Sequence, residues 1–393
     1  MSLLDDLRVG LATLDQNALR RRRRSNAQPC APQANVDGGT RRAFCSNDYL
    51  GLAAEPRLAT ALAAGAARWG SGAGASHLVS GHYTVHDALE TALARFVGCE
   101  RALYLSTGYM ANTGVLPALL GRGDAIFADR LVHASLVDGA LLSRAELRRY
   151  PHLDLGALEH LLASSTARHK AIVTDSVFSM DGDVAPLAAL LALAARHDAW
   201  LVVDDAHGFG VLGPQGRGAL AEAGVLTHPE AWRIVLIGTL GKAAGVAGAF
   251  VAGQAELIEW LLQKMRTYLF STGAPPALAH VLLESLQLIE DGDARRDRLA
   301  HLIACLRSRA RFVRWRLMDS RTPIQPVLIG DNAEALAVGA ALEAAGFWVP
   351  AIRPPTVPAG TARLRISLSA AHSEDDVRCL AETLCGLEQR LTP

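Results

Sequence analysis

Two segments of this chain end apolar runs in reactive groups: Leu201-Val202-Val203-Asp204-Asp205-Ala206-His207-Gly208 and Ile237-Gly238-Thr239-Leu240-Gly241-Lys242. The first supplies an acid and an imidazole, the second a hydroxyl, glycines and a primary amine. Pyridoxal 5′-phosphate (PLP) needs such a set: an amine for a Schiff base, a carboxylate for the ring nitrogen, and small donors for the phosphate. Taken alone, the adjacent Asp204 and Asp205 suit magnesium equally well. His207 tilts the reading toward an organic cofactor, because a neutral imidazole can bond the phenolic oxygen while Asp204 holds the ring nitrogen. A charge-assisted bond of that kind contributes ~1.5–3 kcal/mol. A nucleotide phosphate loop fits poorly, since no Ser or Thr follows Lys242 and the glycine spacing differs. Thr239 offers its hydroxyl to a phosphate oxygen. Gly238, Gly241, Gly245 and Gly248 are expected to let a flat cofactor approach the backbone.

Other candidates are weaker singly. Ser106-Thr107-Gly108-Tyr109 ends a strand-like run and opens a helix-like one, where free N–H groups attract anions. That arrangement is common in α/β proteins, and Tyr109 also suits a core position. His133, at the start of another predicted helix, suits a cap as well as a ligand contact. Ser179 lies in a polar loop, Asp175-Ser176-Val177-Phe178-Ser179-Met180-Asp181-Gly182, where a turn role is the plain alternative. The arginine run 20–24 reads mainly as solvated surface.

These residues need a frame. Runs at 102–105, 125–128, 171–174, 200–203, 234–237 and 249–251 read as strands, with helices between them, as at 155–162 and 186–196. That alternation predicts an α/β fold with a mostly parallel central sheet covered on both faces. Ligands of such sheets collect at the carboxyl ends of the strands, where the candidates fall. An amphipathic helix is expected over residues 2–20, with apolar positions Leu3, Leu4, Leu7, Leu11, Leu14 and Ala18. Beyond residue 290 the pattern predicts a smaller α+β domain. Its elements are a helix at 293–316, a strand at 326–329, a helix at 333–345, a strand at 364–367 and a helix at 374–387. The expected division is an N-terminal helical arm (1–49), a large cofactor-binding domain (50–290) and a small C-terminal domain (291–393).

Thirty-nine basic residues balance thirty-nine acidic ones. No global field therefore favours nucleic acid or a membrane surface. Six scattered cysteines form no Cys-x-x-Cys pair, which suits a reducing cytoplasm better than a zinc ribbon or a disulfide framework. No signal peptide and no membrane span are expected.

Together these segments resemble the α-oxoamine synthase family of fold-type I PLP-dependent transferases, from Ser46-Asn47-Asp48-Tyr49-Leu50-Gly51-Leu52 to the C-terminal domain. Three stretches are similar to one branch: 74–82, Gly238–Lys242, and Ile352-Arg353-Pro354-Pro355-Thr356-Val357-Pro358-Ala359-Gly360-Thr361-Ala362-Arg363-Leu364-Arg365. That branch condenses L-alanine with pimeloyl-CoA or a pimeloyl-carrier protein. The resemblance implies that Lys242 forms the Schiff base and, once released, acts as base, with Asp204 on the ring nitrogen. It places His207 and Ser179 at the phenolic oxygen and His133 on the ring face. Gly108, Tyr109 and Thr239 would hold phosphate; Arg21, Asn47, His133, Thr356 and Arg365 would handle substrate, Arg365 taking the amino-acid carboxylate. It implies no metal. A homodimer with shared sites follows too, with Thr272 of Phe270-Ser271-Thr272-Gly273 reaching the neighbour's phosphate. His77 departs from the arginine that many members carry there, which bears on the grip on the acyl carrier. The rival readings are a glycine-dependent synthase of the same family and a non-catalytic partner subunit; Lys242, Asp204 and His207 count against the latter.

Overall fold

The computed structural model describes residues 2–17 and 19–391. Seven strands form the central sheet, in the spatial order Arg101–Leu105, Ala249–Gly253, Ile234–Thr239, Ala199–Asp204, Lys170–Asp175, Ala125–Asp129 and Glu146–Tyr150. Its inner strands are apolar throughout because helices cover both faces. Successive side chains alternate between the two layers: Leu201 and Val203 pack into one core cluster, and Val202 into the other. The register sets Asp175 opposite Asp204 and Asp204 opposite Ile237, so three strands finish level at one edge.

Two features depart from the simple alternation. Ala249–Gly253 runs antiparallel to both its neighbours. Only residues 240–248 link it to the preceding strand, too few for the crossover of a dozen or more residues that a parallel return needs. Glu146–Tyr150 escapes the apolar pattern altogether. It is an edge strand, Glu-Leu-Arg-Arg-Tyr, and charge on an edge discourages pairing with another chain.

The C-terminal part, expected as a small domain, has a four-stranded antiparallel sheet ordered Arg316–Leu317, Ile324–Gly330, Ala362–Ser367 and Ala351–Ile352. Its helices are Asp293–Arg309, Asn332–Ala344 and Glu374–Leu391. The first stops seven residues short of the expected 316. There the N–H groups of Val313, Arg314 and Trp315 turn to the Glu388 carboxylate at 2.9, 2.8 and 2.7 Å, and Trp315 is buried. Satisfying three N–H groups on one acid replaces helical bonding over that stretch. At the other end of the chain, the first helix spans Leu3–Gln16 and buries none of its residues; the expected contribution of Ala18 falls outside the described residues.

Beyond that helix the arm is stitched to the small domain. Its hairpin, Gln33–Val36 with Gly39–Ala43, continues into Phe347–Trp348. Residues 44–49 then run beside residues 367–370, through Ser367 N–H to Phe44 O (2.8 Å) and Ala370 N–H to Tyr49 O (2.8 Å). This seam brings both ends of the sequence to the carboxyl edge of the central sheet.

The turn that carries Lys242 is locked against the same segment. Gly245 adopts φ +68°, and a Cβ there would lie 2.6 Å from Ala53 N. Gly245→Ala is therefore expected to cost at least ~1–3 kcal/mol from strain and clash, read as a lower Tm with weaker PLP retention.

Candidate active site

The strand Ala199–Asp204 ends in Asp204, and the turn after Ile234–Thr239 carries Lys242. Lys242 Nζ lies 2.8 Å from His207 Nε2. Burial pulls the amine down to about 8, while Asp204 and Asp175 hold it up and Arg365 adds to the fall. His207 is buried, and burial together with Lys242 pushes its pKa well below the ordinary value. The ring is therefore neutral, with one donor and one acceptor nitrogen. Its partners assign the roles: Nε2 accepts from Lys242, and Nδ1–H donates to Tyr49 Oη at 2.7 Å. Tyr49 in turn donates to Asn47 Oδ1 at 3.1 Å.

Asp204 Oδ2 accepts from Asn112 Nδ2 at 2.7 Å, and Oδ1 from Ala206 N at 3.0 Å. The neighbouring Asp205 is held elsewhere, by Ser176 Oγ at 2.5 Å and Ala219 N at 3.0 Å. The two acids thus serve different partners instead of converging on one ion. His133 caps the helix Ala134–Ser143; its N–H donates to Asp175 at 3.1 Å and its Nδ1 pairs with Ser135 Oγ at 2.7 Å, leaving the ring exposed.

Arg365 enters from the small domain, on the strand Ala362–Ser367, and is buried. Nε donates to Ser179 O at 2.5 Å, Nη1 to Ser367 Oγ at 2.8 Å, and Nη2 to Asn47 Oδ1 at 3.2 Å. A guanidinium has five N–H groups; these bonds use three, and Tyr49 also lies against the guanidinium, so what remains is on the terminal nitrogens, the kind of donor that a carboxylate accepts. Of the arginine run, Arg21 is the member that reaches Thr356, Nη2 to Oγ1 at 3.4 Å. Arg20 pairs with Asp15, and Arg24 with Asp37 and Glu343.

Gly108 opens the helix Gly108–Leu119, where the first N–H groups lack intrahelical partners. A Cβ on Gly108 would lie 3.7 Å from Thr239 Oγ1. Two backbone donors and a hydroxyl therefore meet at one corner. Tyr109 contributes its backbone there while its hydroxyl bonds Asp138. The glycines near Lys242 mostly serve another purpose than expected. The space beside Gly238 is filled by Phe250, that beside Gly245 by the backbone of Leu52 and Ala53, and that beside Gly248 by Tyr104. Beside Gly241 alone of the four, a Cβ would meet nothing nearer than the Thr239 hydroxyl at 4.0 Å. Thr272 is exposed and stands outside this group. His77 is buried and turned inward, stacked on Tyr268 at 4.8 Å with His82 and His86 beside it.

Residues 43–384 match the family model of class I and II aminotransferases. The 8-amino-7-oxononanoate synthase of Aromatoleum aromaticum is 71% identical over 98% of this chain and 99% of its own length. The chain belongs to the 8-amino-7-oxononanoate synthase family. The Azoarcus sp. enzyme of that name is 69% identical over 98% of both chains. Among solved structures, serine palmitoyltransferase of Sphingomonas wittichii superposes with TM-score 0.90 at 31% identity over 99% of both chains.

The donor set fits PLP, the cofactor of this family. An amine of lowered pKa, a buried carboxylate, a neutral imidazole and an anion corner all follow the carboxyl ends of strands at one edge of the sheet. Four groups in this arrangement escaped the sequence reading. Tyr49 and Asn112 find their partners only through long-range folding, with Tyr49 158 positions from His207 and Asn112 92 from Asp204. Ser135 accepts from Asn112 Nδ2 at 2.8 Å and joins it to His133. Asp175 did carry a signal, an acid closing a strand beside Asp204; burial and Asp204 raise its pKa well above the ordinary value.

The amine at about 8 sets a pH dependence for cofactor capture by the apoprotein. Only the neutral amine attacks an aldehyde, so the capture rate is expected to rise with pH through about 8 and level above it. Stopped-flow absorbance of apoprotein mixed with PLP measures this. A rise centred near an ordinary lysine value of 10.5 would contradict the desolvated amine.

Proposed function

We propose that this chain condenses L-alanine with a pimeloyl thioester, giving 8-amino-7-oxononanoate, carbon dioxide and the free carrier thiol in biotin biosynthesis. The observation that carries the reading is the Lys242–His207 contact of 2.8 Å at the carboxyl edge of the sheet, with Arg365 brought to the same edge. Bound PLP supplies an electron sink for the electrons of the alanine Cα–H bond.

The protein's groups do the rest. Asp204, fixed by Asn112 and the Ala206 N–H, is positioned to keep the ring nitrogen protonated. The remaining N–H donors of Arg365 orient the alanine carboxylate and with it the Cα–H bond. Lys242, with a pKa near working pH, takes that proton and later returns one. His207 stays neutral beside it, its Nε2 accepting from the amine and its Nδ1–H held by Tyr49. Ser179, its carbonyl tied to Arg365, would contact the phenolic oxygen of bound PLP, and the exposed ring of His133 would cover a flat face.

Arg21 bonds Thr356 beside a cavity of about 840 Å³ lined by residues 20–25. Its cationic lining supports an anionic acyl carrier, either pimeloyl-CoA or a pimeloyl-carrier protein. The enzyme works as a homodimer in this reading. Phe270 and Thr272 are exposed on a loop outside their own site, as a residue reaching a neighbour's phosphate would be. Six unpaired cysteines accord with work in the cytoplasm.

Lys242→Ala is expected to abolish turnover without unfolding the protein; wild-type product formation by that variant would sink the assignment. Arg365→Ala is expected to raise the alanine KM by roughly 10-fold or more, as loss of a charged hydrogen-bonding partner implies. Assays pairing alanine with both pimeloyl carriers, and glycine with acetyl-CoA, test the substrate pair. Faster turnover with glycine and acetyl-CoA would overturn it.

A further inference from the structure

Beneath the substrate side of the site, outside the groups assigned above, one imidazole bridges two carboxylates. His152 Nδ1 lies 3.0 and 3.1 Å from the two oxygens of Asp129, and its Nε2 lies 2.6 Å from Asp183 Oδ2. Both ring nitrogens face acceptors that carry no proton to offer, so both must donate, and the ring is an imidazolium. Burial lowers its pKa, but the two carboxylates outweigh that and raise it to about 10. Phe178 closes over the ring edge-on, with centroids 4.4 Å apart at 87°.

Each carboxylate governs a different part of the site. Asp129 is fully buried at the end of its strand and also accepts from Leu131 N (2.8 Å) and Leu153 N (2.9 Å). It thereby shapes the turn that delivers His133, which begins with Val132 N–H to Asp129 O at 3.3 Å. Asp183 closes the 178–183 loop through Phe178 N–H to its own carbonyl at 3.0 Å. That loop carries Ser179, whose carbonyl holds Arg365 Nε, and Asp181, which pairs with Arg363. Asp183 Oδ1 is buried without a hydrogen-bond partner among the described residues, so His152 is the group that balances this charge.

We propose that His152 is a positioning residue for alanine binding: as a fixed cation between Asp129 and Asp183 it clamps the His133 turn to the Ser179 loop and so sets the Arg365 fork. This rests on the reading that Arg365 takes the alanine carboxylate. Without the cation, the partly buried Asp183 keeps Oδ1 shut off from solvent and loses the partner of Oδ2, and the loop moves to hydrate the carboxylate. The Ser179 carbonyl then no longer fixes Nε, and the fork loses its aim.

The test uses the PLP-loaded enzyme with alanine and thioester varied separately. His152→Gln keeps a donor but removes the charge. It is expected to raise the alanine KM about tenfold, with kcat lowered less and the thioester KM unchanged. Adding Asp183→Asn removes the stranded charge, and the double variant is expected to recover to within about threefold of wild type. Where His152→Gln melts below the assay temperature, Asp183→Asn alone serves, with an expected rise of about threefold. An unchanged alanine KM in His152→Gln, or equal losses for both substrates with no recovery in the double variant, would overturn the proposal. Arg365→Ala run in parallel separates the two claims. A raised alanine KM there but not in His152→Gln overturns the clamp alone; an unchanged value in both overturns the carboxylate role of Arg365.

Discussion

The site depends on removing Lys242 from water beside an imidazole that stays neutral. Two cations 2.8 Å apart would repel by roughly 6 kcal/mol at an effective dielectric near 20. The fold avoids this by burying His207 and giving its Nδ1–H a fixed acceptor in Tyr49, which leaves Nε2 to accept from the amine. The carboxylates of Asp204 and Asp175 limit how far the amine falls. Their level comes from strand register, since both acids close neighbouring parallel strands at paired positions. Sheet geometry and amine reactivity are thus one problem.

The second requirement is that distant stretches of chain meet at that edge. Asn47 accepts from Tyr49 on one side and Arg365 on the other, so a segment near the N-terminus joins the lysine–histidine pair to the small domain. The backbone seam between residues 44–49 and 367–370 makes this union rigid. Below it, His152 ties the Asp129 turn to the 178–183 loop, and Arg363 and Arg365 hold that loop from above. The loop that holds the Arg365 guanidinium is thus fixed by ion pairs on both of its sides.

Much of this was legible in sequence where the signal was local. Asp204, His207 and Lys242 announce themselves because each follows an apolar strand within a few residues, and the alternation of strand and helix gave the sheet its place. The arginine run did not tell which member meets the small domain's loop; Arg21, itself exposed, is the one hydrogen-bonded to Thr356, while Arg20 and Arg24 pair with acids. Tyr49, Asn112 and His152 were invisible as functional groups because their partners lie far along the chain. The helix from Asp293 was overextended because helical composition persists past Arg309, while Glu388, at the opposite end of the small domain's sequence, captures the N–H groups that would have continued it. The glycines near Lys242 were read as room for a flat cofactor, but three of the four make room for the protein's own chain and rings.

The central claim is that the amine of Lys242 is the group that engages the cofactor. The chain holds three lysines: Lys170 begins a strand at the opposite edge of the sheet and Lys264 ends a helix. Borohydride reduction of the PLP-loaded protein, followed by digestion and mass spectrometry, maps the pyridoxyl label directly. The account predicts stoichiometric label on Lys242 and none on the other two; label on Lys170 or Lys264, or an unlabelled Lys242, would contradict it.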